Sequence, residues 1–221
     1  PDPIEAAKIA KASGADGITA HLREDRRHIK DDDINRLVNE VGLPLNFEMA
    51  ATKEMLNIAS IFKPHAACIV PEKRQEITTE GGLDVVGQSD RLREICDELT
   101  NIGSRVSLFI EADEAQITAA AELGVPVIEI HAGAYSDANP EDRPAELEKI
   151  KNGIKIATNI GLECHVGHGL NYQNVEKIAE VREVAELNIG HFLIAEAVFS
   201  GLGNCIKRMR ELIDDARVQQ E

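Results

Sequence analysis

Aromatic side chains are scarce in this sequence: its 221 residues include no Trp, two Tyr and five Phe. The core must therefore be built from aliphatic side chains, and a hydrophobic content of 43% is enough for one domain spanning residues 1–221. Long apolar runs are also missing, and the opening segment PDPIEAAKIAKASG lacks the charged and apolar regions of a signal peptide. We expect a single-domain cytoplasmic protein without a membrane span.

Cysteines and basic side chains are also few. The four cysteines, at positions 68, 96, 164 and 205, lie far apart without CxxC spacing, which disfavours a disulfide framework or a zinc knuckle and predicts buried thiols. Lys and Arg number 24 against 39 Asp and Glu, a net charge of −15. Bulk electrostatics thus disfavour nucleic acid or an anionic membrane as partner, and any anionic substrate must be bound by local groups.

Apolar, β-branched runs alternate with helical patterns along the whole chain. This alternation is typical of βα units that build a parallel sheet. We predict seven strands, each followed by a helix. They read GITAHL from Gly17, PLNFEMA from Pro44, AACIVPE from Ala66, RVSLFIEA from Arg105, VPVIEIHAG from Val125, LECHVGHG from Leu162 and LNIGHFLIAEAV from Leu187.

The first element is predicted to be a helix, because Asp2 can cap it, Pro3 suits its first turn and Gly14 can end it. Eight helices and seven strands predict an α/β fold, a (β/α)8 TIM barrel whose first strand is absent from this sequence. The chain starts without Met, so we expect residues before Pro1 in the natural polypeptide. A doubly wound open sheet is the alternative, but no glycine-rich first turn is found.

Polar, chemistry-capable residues recur where the predicted strands end, which is where barrel enzymes carry their active sites. We expect His21, Glu48, Glu129 and His168 to surround one ligand and to act as acids and bases. Glu48 lies within an apolar strand, so it is either a general acid/base or one half of an ion pair with a neighbouring strand. The strand-end set is His21, Arg23, Glu48, Glu72, Lys73, Arg74, Glu111, Asp113, Glu129, His131 and His168, with His191 inside the last strand.

Glycine-histidine pairs after the last two strands indicate phosphate binding, although they could be tight turns only. These pairs are His168 with Gly169 and Gly190 with His191. Arg23 and His28 can contact a second phosphate, whereas Arg26 and Arg27 are predicted to pair with nearby carboxylates. Residues 71–88 are long for a βα loop and predict a lid, in which Thr78 or Thr79 could donate to phosphate, or else a surface excursion.

The segments GADGITAHLREDRRHI, VPEKRQEITTEGGLDV, IEIHAG, GHGLNY and ELNIGH together resemble the pyridoxine 5′-phosphate synthase family. The resemblance implies a barrel that condenses 1-deoxy-D-xylulose 5-phosphate with 3-amino-2-oxopropyl phosphate, without metal or organic cofactor, in a cytoplasmic homo-octamer. It also implies a role for each of several residues. His21 and Glu48 match the family's bases, His168 matches its proton donor and Glu129 matches its transition-state stabiliser. The family's contacts to deoxyxylulose phosphate are matched by Arg23, His28 and Thr78. Its contacts to the aminoketone phosphate are matched by Gly169, Gly190 and His191.

Two departures from the family pattern stand out. The family's first strand carries an Asn-x-Asp-His motif, followed by an Arg, and both are absent here. His165 and Val166 stand where the family has Asn and Ala before the GHG motif. We therefore expect that these 221 residues alone are not a competent catalyst, and that the second change alters hydrogen bonding around the site.

Other functions are compatible with the same residues. A divalent-metal sugar-phosphate isomerase or epimerase could use Glu48, Glu129, His131 and His168 as ligands. A Schiff-base aldolase is disfavoured, because Lys73 lies in the predicted lid and not in a late strand. The third alternative is a noncatalytic barrel that binds phosphorylated metabolites.

Overall fold

The computed structural model describes residues 1–73 and 81–218, and within them seven parallel strands form one curled sheet. The strands lie side by side in chain order, which is the arrangement of a barrel and excludes the doubly wound alternative, where the order reverses at a switch point. The strands are β1 (Ile18–His21), β2 (Leu45–Met49), β3 (Ala66–Ile69), β4 (Arg105–Ile110), β5 (Val127–His131), β6 (Glu163–Gly167) and β7 (Val184–Asn188). The predicted α/β, TIM-barrel-like fold is confirmed.

Helices follow the strands and cover the outside of the sheet. The described residues contain α1 (Pro3–Ala12), α2 (Asp31–Glu40), α3 (Lys53–Phe62), α4 (Ser89–Asn101), α5 (Glu114–Glu122), α6 (Gly133–Asp137), α7 (Arg143–Asn159), α8 (Val175–Ala179), α9 (His191–Ser200) and α10 (Leu202–Val218). Within these residues, no helix combines the length and apolar character needed to cross a bilayer.

Local sequence signals explain where the helices begin. Asp2 caps α1 as predicted, because its Oδ1 accepts a hydrogen bond of 2.9 Å from the backbone N–H of Ile4. Thr52 caps α3 in the same way, accepting from the N–H of Met55 at 3.3 Å. The Thr52 cap begins α3 shortly after β2 ends, and so it limits the strand-end loop that follows Glu48 to a few residues.

The core is aliphatic, as the shortage of aromatic residues predicts. Ile, Leu, Val and Ala side chains from both sheet and helices fill it, and Tyr135 and Phe47 are its largest members. All four cysteines are buried and free of disulfides, as predicted.

The last predicted strand is wrong in its extent. The segment from Leu187 was predicted as one strand that included His191, but β7 ends at Asn188 and residues 191–200 form α9. The reason is composition: α9 is apolar on all sides, so the sequence shows no 3.6-residue alternation that would separate helix from strand. The predicted total of eight helices is also too low, because α6 and α9 are additional helices within strand-end connections.

The two outer strands of the sheet face each other. The hydroxyl of Thr19 on β1 donates a hydrogen bond of 2.7 Å to Oδ1 of Asn188 on β7, and α1 packs against α10 outside this junction. The sheet therefore curls far enough to bring its first and last strands together, and the carboxyl ends of all seven strands open on one mouth.

Candidate active site at the barrel mouth

His21 lies between two carboxylates at the start of the mouth. It ends β1 directly beside Glu48 of β2, and its Nδ1 is 3.7 Å from Oε2 of Glu48. On its other side, Nε2 is 2.9 Å from Oε1 of Glu72. Glu72 lies in the loop after β3, two positions beyond Val70. A carboxylate can only accept, so Glu72 favours the tautomer with hydrogen on Nε2 and leaves Nδ1 as a base that faces Glu48.

Glu48 occupies a partly buried position inside β2, between the apolar neighbours Phe47 and Met49. Burial raises the pKa of the Glu48 carboxyl above its ordinary value, and the charge of His21 partly offsets this rise. A carboxyl with a raised pKa can take up and release protons closer to neutral pH. The ion-pair and acid/base interpretations of Glu48 thus involve one partner, His21.

Glu129 lies deeper in the barrel, on β5, and is 2% exposed. Its Oε2 accepts a hydrogen bond of 2.8 Å from Nδ2 of Asn188, and the thiol of Cys68 lies 3.8 Å from the same oxygen. Burial first, and then the negative charge of Glu48, raise the pKa of Glu129 well above its ordinary value. A side chain at Gly167 would approach Oε1 of Glu129 to 2.0 Å, so that glycine keeps the space for the carboxyl.

His168 follows β6 in a tight, left-handed turn. Its φ of 72° is unusual for a residue with a side chain, and Gly169 follows at φ 82°. At Gly169 an added Cβ would be 2.6 Å from Cβ of Ser136, so the turn requires glycine. The turn aims the His168 ring at His131, with ring centroids 4.9 Å apart. Burial lowers the pKa of His168, and the charge of His131 lowers it further.

Gly190 and His191 form the beginning of α9. Gly190 is the N-cap, and its carbonyl accepts from the N–H of Ile194 at 3.1 Å. The first N–H groups of a helix have no partner within the helix and suit an anion. His191 was predicted within the last strand, but it is the first residue of α9, a position that also suits phosphate.

Among the basic residues after β1, the predicted pairing of Arg26 and Arg27 with nearby carboxylates is confirmed. Nε of Arg23 is buried and has no hydrogen-bond partner within the described residues, while His28 is exposed on the same loop. Arg26 pairs with Asp31 at 3.0 Å, and Arg27 pairs with Asp25 at 2.5 Å. Nε of Arg23 also lies 3.8 Å from Oδ1 of Asp25, a longer ion pair than those of Arg26 and Arg27.

The predicted lid is only partly covered by the structure. Thr78 and Thr79 lie outside the described residues. The segment that follows is anchored to the barrel, since the N–H of Gly82 donates to Oε1 of Glu111 at 2.8 Å and the N–H of Leu83 donates to the carbonyl of Phe109 at 2.8 Å.

The sequence did not assign a role to two residues that contact the site, Glu72 and Asn188. Glu72 was only one of many strand-end charges, and Asn188 was not selected at all. Their roles depend on contacts between residues 51 positions apart, for His21 and Glu72, and 59 positions apart, for Glu129 and Asn188. The position of Glu72 after a strand was a signal, but its partner could not be read from spacing.

The metal-ligand set of the isomerase alternative is not assembled. Among residues 1–73 and 81–218, no group of three or more His, Cys, Asp and Glu side chains is arranged to hold an ion. Glu129 uses its carboxyl on Asn188, and His131 uses Nδ1 on Glu111.

Comparison with known protein families gives a match over nearly the whole chain. The family model described as "Pyridoxal phosphate biosynthesis protein PdxJ" matches residues 1–215. A protein of Zymomonas mobilis subsp. mobilis named pyridoxine 5′-phosphate synthase is 58% identical over 221 residues, covering 100% of this chain and 86% of the relative. A protein of the same name from Rhodospirillum rubrum is 60% identical over 217 residues, covering 98% of this chain and 87% of that protein.

Solved structures that resemble this fold are far more distant in sequence. Phosphoribosyl anthranilate isomerase from Thermus thermophilus superposes with a TM-score of 0.63 at 13% identity, covering 97% of this chain and 95% of the other. A structure described as native KDPGal gives a TM-score of 0.69 at 12% identity, covering 99% and 91% of the two chains. At such identities the likeness speaks for the barrel fold alone.

Proposed function

The chain belongs to the PdxJ family of pyridoxal phosphate biosynthesis proteins, and on this premise we propose that its barrel-mouth histidines and carboxylates carry out the pyridoxine 5′-phosphate synthase reaction. It is an enzyme of vitamin B6 biosynthesis, acting on small molecules. The observation that carries the assignment of roles is the placement of His21 between Glu48 and Glu72, with His168 directly after β6 at the same mouth.

The reaction demands repeated proton transfer. An amine and a ketone lose water to form an imine, phosphate is eliminated, and the ring closes by an aldol-type attack followed by dehydration. His21 takes the first proton through Nδ1, because Glu72 occupies Nε2. Glu48 exchanges protons in later steps, which its raised pKa supports. Separate groups on separate strands can serve successive intermediates in this way.

Glu129 and His168 supply the remaining acid groups. Burial favours the protonated form of Glu129, and a neutral carboxyl can donate a hydrogen bond to developing negative charge in the transition state. His168 donates a proton to a departing oxygen, and its lowered pKa makes it a stronger acid. Asn188 keeps the Glu129 carboxyl in place.

Two phosphate sites hold the substrates in reacting orientation. The Arg23 guanidinium, whose Nε makes no hydrogen bond and lies 3.8 Å from Oδ1 of Asp25, contacts the deoxyxylulose phosphate, together with His28 and Thr78. The His168–Gly169 turn and the start of α9 at Gly190 and His191 hold the aminoketone phosphate with backbone N–H groups. Such local donors are needed because the chain as a whole carries a charge of −15.

The protein further acts as a cytoplasmic homo-octamer in this proposal. Four buried free thiols suit a reducing compartment. The helix α9 exposes Ile194, Val198 and Phe199, of which Phe199 is 86% exposed, and a patch of large apolar side chains is typical of an interface. Light scattering that gave the mass of one chain would contradict the octamer.

The assignment of Glu48 is tested by Glu48→Gln in the full-length protein. The amide keeps the shape of the side chain but cannot exchange a proton, so we expect turnover to fall by roughly 10²–10⁴-fold while both substrates still bind. Steady-state kinetics and calorimetric binding give the two quantities. Glu40→Gln, an exposed change at the end of α2, serves as the matched control. Turnover near that of the unaltered protein would remove Glu48 from its role.

A further inference from the structure

Glu111 and His131 form a buried pair at the mouth that none of the steps above uses. Glu111 directly follows β4 and His131 ends β5, and Oε1 of Glu111 lies 2.8 Å from Nδ1 of His131. Their side chains are 9% and 10% exposed. The same carboxylate oxygen accepts from the N–H of Gly82, so Glu111 is held at the strand end and in turn holds one nitrogen of the His131 ring.

The His131 ring also contacts the ring of His168. The two ring centroids are 4.9 Å apart and the planes meet at 62°, an edge-to-face contact. The Phe109 ring packs against both, with its centroid 4.9 Å from that of His131 and 6.2 Å from that of His168. Beside the two histidines is an open cavity of about 340 Å³, which Asp137 also lines. The Glu111–His131 pair therefore adjoins His168 beside a cavity that is open to a ligand.

The backbone at two glycines lies close to the His131 ring. A Cβ at Gly133 would be 2.5 Å from its Nε2, and a Cβ at Gly81 would be 3.1 Å from its Cε1, so both glycines make room for the ring at van der Waals distance. An imidazole held by a carboxylate at one nitrogen, with the backbone at two glycines close to its other atoms, has restricted freedom to rotate away from its neighbour.

We propose that His131, oriented by Glu111, is a positioning residue that holds the His168 imidazole in line for proton donation. This inference rests on the proposed role of His168 as proton donor. His168 itself lies in a left-handed turn that restricts its backbone, and the contact with His131 restricts its ring. The arrangement resembles other carboxylate–histidine pairs in which a second group orients the group that reacts.

The charges around His168 make the proposal testable by titration. After burial, the charge of His131 is the next cause that lowers the pKa of His168, and His191 on α9 lowers it too. Asp137 on α6 and Glu111 raise it. Removing His131 should therefore move the titration of His168 to higher pH. Glu146 and Lys149, from α7, line the same cavity and form an ion pair of 2.8 Å.

His131→Asn is the direct test. We expect kcat to fall at least roughly tenfold with KM within about twofold, because an orienting contact is lost while substrate contacts remain. We also expect the alkaline limb of the kcat profile and the NMR titration of the His168 ring to move to higher pH. Unchanged kcat and an unchanged His168 titration would overturn the proposal, as would a rise in KM at constant kcat.

The Glu111 variants separate orientation from folding. Glu111→Gln keeps an acceptor for Nδ1–H of His131 and should retain kcat within about threefold, whereas Glu111→Ala should lose as much as His131→Asn. Equal kcat in the two variants would overturn the orienting role of Glu111. Because Glu111→Ala keeps all three rings, it tests the proposal even if His131→Asn folds poorly.

The failure of this inference differs from a failure of the role of His168. Unimpaired turnover in His168→Asn would remove His168 as proton donor and the inference with it. A strong loss in His168→Asn combined with normal kcat in His131→Asn would overturn the inference alone. The NMR titration needs no turnover, and His168→Asn identifies the resonance to be followed.

Discussion

At the residue scale, a second charged group begins at the amino ends of the strands. Arg105 begins β4 and Glu163 begins β6, and they form a two-point ion pair, with nitrogen–oxygen distances of 2.8 and 2.7 Å. His165 joins them through Nε2, 2.9 Å from Oε1 of Glu163, and its Nδ1 lies 3.4 Å from Oε1 of Glu186. The sequence indicated that His165 changes hydrogen bonding around the site; Glu163 lies two positions away on the same strand, whereas Glu186 lies on β7 and could not be read from spacing.

This group predicts a pH-dependent stability. The hydrogen bonds from Arg105 lower the pKa of Glu163 to about 2, and His165 adds to the effect. A depressed carboxyl pKa stabilises the fold fully above the ordinary value of 4.5, and this stabilisation is lost as the pH falls through about 2. We expect Glu163→Gln to lower the free energy of unfolding at pH 7 by about 1 kcal/mol, a small value because both partners are 38% exposed and screened by solvent.

Urea denaturation between pH 7 and the lowest pH at which the protein still folds measures this difference. The gap between Glu163→Gln and the unaltered protein should narrow below pH 4.5. Glu148→Gln, on the exposed face of α7 beside Lys151, is the control and should cost less than about 0.5 kcal/mol. A gap that widened on acidification would contradict the account.

At the element scale, strand-end position did not by itself distinguish chemistry from helix capping. Asp113 was predicted among the polar residues of the mouth, yet its Oδ1 accepts from the N–H groups of Ala115 and Gln116, both at 3.0 Å, and so caps α5. Both roles place a carboxylate just after a strand. The helices with clear apolar spacing, such as α2, were predicted well, whereas α9, apolar on every side, was taken as strand.

Capping predicts that Asp113 matters for stability and not for turnover. Asp113→Ala leaves the first N–H groups of α5 without a side-chain acceptor, so we expect a loss of about 1 kcal/mol with kcat unchanged. Asp113→Asn keeps an acceptor oxygen and should retain most of the stability. Thermal denaturation and steady-state kinetics on the two variants check this, and a tenfold fall in kcat for Asp113→Ala would show that the residue serves the reaction.

At the scale of the whole molecule, the alternation of strands and helices predicted the barrel because parallel strands joined by helices have few compact arrangements. It also predicted that His21 and Glu48 lie together, since neighbouring strands end at the same rim. The alternation could not predict how deep each side chain lies or which neighbour it contacts. The carboxyl of Glu129 lies against Gly167, and His131, predicted as a possible metal ligand, contacts Glu111. The positions of Glu129 and His131 depend on contacts with residues that lie on other strands.

The central claim is that the acid and base groups of this barrel mouth make pyridoxine 5′-phosphate without a metal ion. The direct measurement mixes the chelator-treated full-length protein with 1-deoxy-D-xylulose 5-phosphate and 3-amino-2-oxopropyl phosphate, and follows product by mass spectrometry and released phosphate by colorimetry. The account predicts one phosphate per pyridoxine 5′-phosphate, at a rate that added divalent metal leaves unchanged. Product that forms only after a metal ion is restored, or no product at all, would contradict it.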